Sequence, residues 1–487
     1  MSRWKNIQRI FLFKEKRMEA ILLPIVSSIN TYLSNYILIV LLIGIGLFYS
    51  IRTKFVQVRC FGEGMKKVFG NIKFSGGKQH GGISSFQALA TAVAAQVGTG
   101  NIVGACGAIL VGGPGAIFWM WIIAFLGMAT IYAEAVLAQE TKIVGEDGNV
   151  LGGPVYYIKR AYNNKFGSFL AGFFAIAITL ALGFMGAMVQ SNSIASNMNG
   201  AFGVPTWVVG IILAVVSAFI FLGGIQRIAS VAEKIVPFMA VLYIALGLIV
   251  LVVKIADVPQ AIGMIFKYAF QPQAIIGGAF GFAIAKAITQ GAKRGLFSNE
   301  AGMGSTPHAH AVAKVEKPHD QGVVAMIGVF IDTFIVLTMT ALVTITCLYA
   351  GDNPVITAAA GPAEGVTNAN MMQIAMSEVY GGTLGPIFVA ICLLFFAFTT
   401  IISWNFFGKQ NVIYLFGKNA NSKKIATIVY SVLAIVFIFL GTVSSNDLVW
   451  ELTDMFNNLM VIPNVIALAA LSGIVVAAVK KGTEKKQ

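Results

Sequence analysis

The sequence predicts an all-α polytopic membrane protein of about 11 transmembrane helices, built as a five-plus-five inverted repeat behind one extra N-terminal helix. Three observations lead there. Hydrophobic residues make up 57% of the 487 and charged residues only 11%, with 52 glycines besides, where a soluble domain carries about 25% charged residues. The mean hydropathy of +0.80 would leave a water-soluble fold of this size with more apolar surface than it can cover. Two apolar segments, five spans apart, are interrupted by glycine and polar residues. Composition thus excludes a secreted disulfide scaffold, a disordered chain and a nucleic-acid binder. The net charge of +14 reports membrane topology. Cys60, Cys106, Cys347 and Cys392 form no C-x-x-C pair and read as small buried apolar groups.

A helix needs about 20 apolar residues to cross the hydrocarbon. Such runs fall near 31–51, 86–112, 114–138, 168–194, 204–224, 235–256, 277–297, 321–350, 383–408, 425–442 and 447–478. Gly113-Pro114 separates the second from the third as a tight helix stop and restart. The chain then divides into an N-terminal segment 1–30, an extra helix 31–51, a first repeat 86–256, a second repeat 277–478 and a tail 479–487. If the first span enters from outside, the inside loops, including 293–320, hold 25 Lys and Arg against two near the outer ends. Short-loop basic bias sets orientation, so the C-terminus is expected in the cytoplasm and the N-terminus outside. Six cations in residues 1–17 run against that frame. Either Met18 is a later start or the segment lies along the membrane surface.

The second span carries Ala94-Ala95-Gln96-Val97-Gly98-Thr99-Gly100-Asn101 at mid-membrane depth. Small residues alone would signal close helix packing. Gln, Thr and Asn beside them signal irregular backbone, which is tolerated at that depth only against protein or a watery cavity. The seventh span reads Lys286-Ala287-Ile288-Thr289-Gln290-Gly291-Ala292-Lys293-Arg294-Gly295. Five spans per copy is an odd number, so the second copy is inverted. Interrupted helices at matching positions of inverted halves mark the midplane site of a secondary transporter. Hinges are expected at Gly98, Gly100, Gly291 and Gly295.

These residues bring a resemblance. Gly112-Gly113-Pro114-Gly115-Ala116-Ile117-Phe118-Trp119-Met120-Trp121-Ile122, ending at Gly127, is similar to the signature of the alanine/glycine:cation symporter (sodium:alanine symporter) family. Gly98-Thr99-Gly100-Asn101, Gly152-Gly153-Pro154 with Tyr156-Tyr157, and Arg294 to Glu300 resemble it too, in the right order. The resemblance covers nearly the whole chain. It implies a LeuT-type fold and Na⁺-coupled uptake of small neutral amino acids, alanine or glycine, at the cell membrane.

An amino acid brings a carboxylate and an ammonium that must both be satisfied away from water. A broken helix offers free N–H groups at one half's N-terminus and free carbonyls at the other half's C-terminus. The Thr99 and Gly100 amides are expected at the substrate carboxylate. Asn101 is a candidate ion ligand, with interhelical hydrogen bonding as the alternative. Gln190, followed by Ser191 and Asn192, is either a substrate contact or helix–helix glue. In the fold the resemblance implies, Thr399 and Thr400 lie against the first broken helix. With carbonyls of Ala94 and Val97 they would make an oxygen-only Na⁺ site, as a hard cation requires; back-bonding within their own helix is the alternative. Trp404 is a candidate pocket wall.

Remaining ionisable groups are weighed singly. Glu134 reads as reaching toward the membrane surface or as a structural pair. Asp332 and Lys286 are deeper and are candidates to pair with each other. Glu451 and Asp454 read as gate or solvated residues at the outer mouth. His308 and His310, in an inside loop, make a weak metal site. No metal beyond Na⁺, no cofactor, no nucleic acid and no obligate protein partner is expected besides the amino acid, Na⁺ and membrane lipid. Three functions compete. The first is a Na⁺ symporter. The second is a proton-coupled transporter of the same fold, in which Lys286 supplies the cation. The third is a channel. An ATP-driven pump lacks its phosphate loop, and no H-E-x-x-H or G-x-S-x-G motif argues for an enzyme.

Overall fold

The computed structural model describes residues 20–70, 83–145, 148–221, 224–270, 280–352, 354–356, 364–417 and 419–484. The long N-terminal helix α1, Ala20–Arg52, runs through the predicted extra span and begins before it. Beyond it lies the short α2, Phe61–Phe69. Its Phe61, Met65 and Val68 face the core, as expected for apolar residues at helical spacing.

Ser84 starts the first interrupted helix. Its hydroxyl accepts from the Gln87 amide while Gln87 Oε1 accepts from the Ser84 amide, both at 3.1 Å. This reciprocal cap satisfies two orphan donors and begins α3, Ser85–Gln96. The chain breaks at Val97, whose ψ is 88°, and resumes as α4, Gly100–Gly112, bent by 46° from α3. Gly113, at φ 74°, ends α4. Pro114 follows, and α5 runs Ala116–Thr141. The predicted stop and restart therefore stands. At about 1.5 Å per residue α5 is long enough to cross a bilayer, and from Leu126 to Gln139 every side chain is buried. It is the central post of the bundle, packed on α1 and on two helices described below.

A two-stranded ribbon, β1 (Ile143–Val144) with β2 (Val150–Leu151), joins α5 to α6, Pro154–Ala161. The helices α7 (Lys165–Phe202) and α8 (Thr206–Phe221) follow. Next come α9 (Gly224–Val253) and α10 (Val258–Phe270). The second interrupted helix is α11, Phe280–Asn299, then an irregular stretch, then α12, Pro307–Ala311. The helix α13, Pro318–Leu348, returns along α5. The long α14, Met371–Phe416, is two helices joined at Gly381, φ 80°. The last elements are α15 (Ala420–Val443), α16 (Asn446–Ala470) and α17 (Ser472–Thr483).

Among the described residues eight helices are long and apolar enough to cross a membrane, and the bent pair α3–α4 makes a ninth. The shorter apolar α8 and the polar-studded α11 account for the other two predicted spans, so the architecture agrees with about 11. One expectation is corrected. Gly291 and Gly295 are not hinges, because α11 runs unbroken through both. At Gly291 a Cβ would lie 2.5 Å from Trp119 Cβ and 2.9 Å from the Ala116 carbonyl, so glycine there lets α11 pack against α5. The break comes later, where Glu300, Gly302 and Gly304 take φ of 58°, 91° and 80°.

Candidate functional site

The two breaks face each other in the middle of the bundle. Gln96 Nε2 donates to the Asn299 carbonyl at 2.7 Å, tying the end of α3 to the end of α11. A Cβ on Gly98 would collide with Thr400 Oγ1 of α14. Only glycine lets the turn come this close.

At the first break Gly98 N donates to Asn101 Oδ1 at 2.9 Å, and Thr99 N donates to Gln190 Oε1 at 3.0 Å. The Thr99 amide, expected to receive a substrate carboxylate, thus meets a side-chain oxygen from α7. Of the two readings of Gln190, the helix-to-helix bond is the one formed here, and it falls on the break itself. The buried Thr99 hydroxyl finds no hydrogen-bond partner among the described residues. Gly100 packs on α11, where its Cβ would lie 3.0 Å from Phe297 Cδ1.

Thr399 and Thr400 reach the site differently. Thr400 Oγ1 donates to the Ala94 carbonyl at 2.9 Å or to its own Phe396 carbonyl at 3.1 Å. Thr399 Oγ1 back-bonds to the Phe395 and Phe396 carbonyls, each at 2.9 Å. Both threonines therefore back-bond within their own helix, and Thr400 also reaches the first broken helix. Both hydroxyls and the Ala94 and Phe396 carbonyls form one oxygen cluster beside the end of α3.

A second cluster lies across the break; the sequence named Asn101 and Asp332 singly but not as partners. Asp332 of α13 is fully buried. It accepts from Asn101 Nδ2 at 2.6 Å, Ser298 Oγ at 2.9 Å and Thr333 Oγ1 at 2.8 Å. Asn101 also donates to the Asp332 carbonyl at 3.1 Å. Three groups from three helices so converge on one carboxylate, used only as an acceptor. The expected pairing of Asp332 with Lys286 is not formed. Lys286 is half-buried on α11 and makes no ion pair among the described residues; it lies three helical turns before Ser298, about 18 Å at 1.5 Å per residue.

The second break is held by buried carboxylates. Of the two readings of Glu134, reaching toward the membrane surface is overturned, and the carboxylate is held by structural bonds instead. Its Oε2 accepts from Gly302 N at 3.1 Å, and its Oε1 from Gly304 N at 3.0 Å and Asn464 Nδ2 at 2.6 Å. These bonds satisfy amides that an unwound helix leaves orphaned. Glu300 accepts from Trp404 Nε1 at 2.5 Å and from the Ser305 hydroxyl. Trp404 is fully buried, lies over Gly186 of α7, and meets Phe297 edge-to-face at 5.7 Å.

Toward one end Phe297 packs against Trp450 with the rings tilted by 47° and their centroids 4.8 Å apart, and the Arg294 guanidinium sits 4.3 Å over the Trp450 ring. Above them Lys293 contacts Asp454 at 2.7 Å and Glu451 at 3.6 Å, and Arg294 reaches Asp454 at 3.3 Å. Two corrections follow. Asp454 is 2% exposed, so it is not a solvated residue. Lys293 and Arg294 belong to α11 rather than to an inside loop. The opposite end carries Lys317, which donates to the Lys481 carbonyl at 3.0 Å. Nor do His308 and His310 form a metal pair. His308 bonds the Ser305 carbonyl and Asn411, and His310 bonds Gln321.

Two broken helices with their breaks apposed, polar clusters on either side and aromatic layers toward one end define a membrane transporter of the LeuT type. Solved structures share that fold. MhsT in complex with L-phenylalanine matches with a TM-score of 0.56 at 13% identity, over 84% of this chain and 100% of that one. A manganese transporter of Eremococcus coleocola matches at 0.51, with 16% identity, over 80% of this chain and 76% of that one. The chain belongs to the sodium:alanine symporter family, whose model matches residues 18–487. The sodium/alanine symporter AgcS of Methanococcus maripaludis is 40% identical over 94% of this chain and 97% of its own. The amino-acid carrier protein AlsT of Bacillus subtilis is 38% identical, over 94% and 91%. "Probable sodium/glutamine symporter GlnT" of the same species is also 38% identical, over 96% and 92%. The family consists of transporters, not enzymes.

Proposed function

We propose that this protein carries a small neutral amino acid, alanine or glycine, into the cell together with Na⁺ by alternating access. The observation that carries the reading is the bond from the Thr99 amide to Gln190 Oε1. A side-chain oxygen stands where a substrate carboxylate oxygen would be received, at the start of α4, where the helix dipole favours an anion. Substrate carboxylate then replaces Gln190 at the Thr99 and Gly100 amides, and the Thr99 hydroxyl gains a partner. Trp404 and Phe297 wall the pocket. Their bulk against Gly186 and Gly100 leaves room for a short side chain, which favours alanine over glutamine.

Na⁺ is the coupling ion in this reading. The Thr399 and Thr400 hydroxyls with the Ala94, Val97 and Phe396 carbonyls make one hard-oxygen site. Asn101, Ser298 and Asp332 make a second, and the Asp332 carboxylate supplies the charge that a desolvated cation needs. Proton coupling through Lys286 is the weaker reading, since Lys286 stands about 18 Å along α11 from Ser298. Lys293 and Arg294 with Glu451 and Asp454 close the outer path. The C-terminus is cytoplasmic and the N-terminus outside; removing Lys293 and Arg294 from the inside loops leaves the basic bias on that side.

Titration calorimetry of purified protein tests the reading. Alanine affinity should rise with Na⁺, and Na⁺ affinity should rise by the same factor with alanine, since coupling is reciprocal. Alanine binding unchanged when Na⁺ is replaced by choline would contradict it.

A further inference from the structure

Away from the transport site, at the end of the bundle that carries Lys317 and Lys481, three side chains of metal-ligand type converge. Cys60 Sγ, a Glu63 carboxylate oxygen and a His319 ring nitrogen all lie within 4.8 Å of one another. Cys60 immediately precedes α2 and Glu63 stands in its first turn, so i, i+3 spacing puts thiol and carboxylate on one face. His319 stands in the first turn of α13. The two helices cross tightly, since a Cβ on Gly64 would lie 2.7 Å from the Val323 carbonyl.

The imidazole is held for coordination. Its Nδ1 lies 2.6 Å from the Tyr132 hydroxyl and its Nε2 lies 3.2 Å from Glu63 Oε2. A metal-bound histidine fixes its free ring N–H on such an outer partner, and that bond sets which nitrogen faces the ion. With a metal bound, Nδ1–H donated to Tyr132 would leave the Nε2 lone pair toward Cys60 and Glu63. Lys67 approaches the other carboxylate oxygen of Glu63, Oε1, at 3.6 Å and pairs more closely with Asp320 at 3.0 Å, so Oε2 stays available. Cys60 and His319 are 4% and 1% exposed, whereas Glu63 is about one-third exposed at its side chain. The open side admits a water as fourth ligand.

We propose that Cys60, Glu63 and His319 form a site for a borderline divalent cation, Zn²⁺, that staples α2 to the start of α13. Sulfur, imidazole nitrogen and carboxylate oxygen in one set suit zinc better than the hard Mg²⁺ or Ca²⁺. Thiolate and carboxylate balance the two positive charges, and binding releases the Cys60 proton to solvent. The movement needed is small: tetrahedral ligands at about 2.0–2.3 Å from the ion lie roughly 3.3–3.6 Å apart, against 3.2 Å between His319 Nε2 and Glu63 Oε2 now and at most 4.8 Å across the set.

The test uses chelator-stripped, full-length protein in detergent, with Co²⁺ and then Zn²⁺ as probes. Co²⁺ should bind one to one and give a thiolate-to-cobalt charge-transfer band in the near ultraviolet, which Zn²⁺ abolishes by displacement. Zn²⁺ should raise the melting temperature of the wild type but not of Cys60→Ser. Tyr132→Phe should weaken metal binding about 10–100-fold, as loss of an outer partner does. Cys60→Ser keeps the shape of the side chain at a slightly smaller size, and its metal-free melting temperature reports whether it folds. No sulfur–cobalt band from monodisperse wild-type protein overturns the proposal. So does a band that survives in Cys60→Ser.

Discussion

Asn101 Nδ2 lies 2.6 Å from Asp332 Oδ1, joining residues 231 positions apart in the chain. This contact locks the break in the first interrupted helix to α13 and brings a carboxylate to a place where α11 adds only the Ser298 hydroxyl.

If Asp332 supplies charge to the ion, Asp332→Asn should raise the Na⁺ concentration for half-maximal uptake by about ten-fold to a hundred-fold. Loss of a hydrogen bond to a charged group costs roughly 1.5–3 kcal/mol, and each 1.4 kcal/mol is about ten-fold. Asp332→Ala should also lower thermal stability, because Asn101, Ser298 and Thr333 then lose their acceptor. Na⁺-titrated uptake and a melting curve of each variant check both statements.

Thr399 and Thr400 tell the same story from the other side of the turn. Alanine at Thr400 should raise the half-saturating Na⁺ by roughly ten-fold while leaving alanine affinity at saturating Na⁺ within about two-fold. Thr399→Ala should act in the same direction. If Lys286 carried the cation's role, Lys286→Met would abolish gradient-driven uptake and Thr400→Ala would leave it intact.

The first break was legible because a Gln-x-x-Thr-x-Asn pattern amid small residues has no use on a lipid-facing helix. The second was displaced by a competing use of glycine. Gly291 and Gly295 look like hinges, yet at Gly291 the packing against Trp119 and Ala116 demands the small residue. The true break follows Asn299, where Glu300 adopts φ 58° under bonds from Trp404 and Ser305 that no local pattern reveals. Asp332 was visible as a lone acid in an apolar run, but its partners come from helices far off in sequence. Nearest-charge reasoning chose Lys286. The same limit hid the pairing of Lys293 with Asp454, because a loop boundary drawn from hydropathy cut α11 short.

The substrate pocket gives a third expectation. Gly100→Leu adds bulk where a Cβ would already lie 3.0 Å from Phe297 and 3.1 Å from Ser298. The variant should insert in the membrane and remain monodisperse yet lose alanine binding by about a hundred-fold or more, in line with overpacking of 1–3 kcal/mol plus loss of the amide contact. Calorimetry on the purified variant reads this directly.

Topology provides a fourth. Residues 364–382 carry Glu364 and Glu378 and neither Lys nor Arg, and Asn446 at the start of α16 contacts Asn368. Asn370→Cys should therefore react with a membrane-impermeant maleimide in intact cells. Labelling only after lysis would invert the frame.

The central claim is that a Na⁺ gradient drives amino-acid entry through the paired breaks. The most direct measurement is radiolabelled alanine uptake into proteoliposomes holding the purified protein, with Na⁺ or H⁺ gradients imposed separately. Saturable accumulation should be driven by an inward Na⁺ gradient, abolished when Na⁺ is equal on both sides at zero potential, and indifferent to an acid-outside gradient alone. Accumulation driven by the acid-outside gradient in the absence of Na⁺ would contradict it.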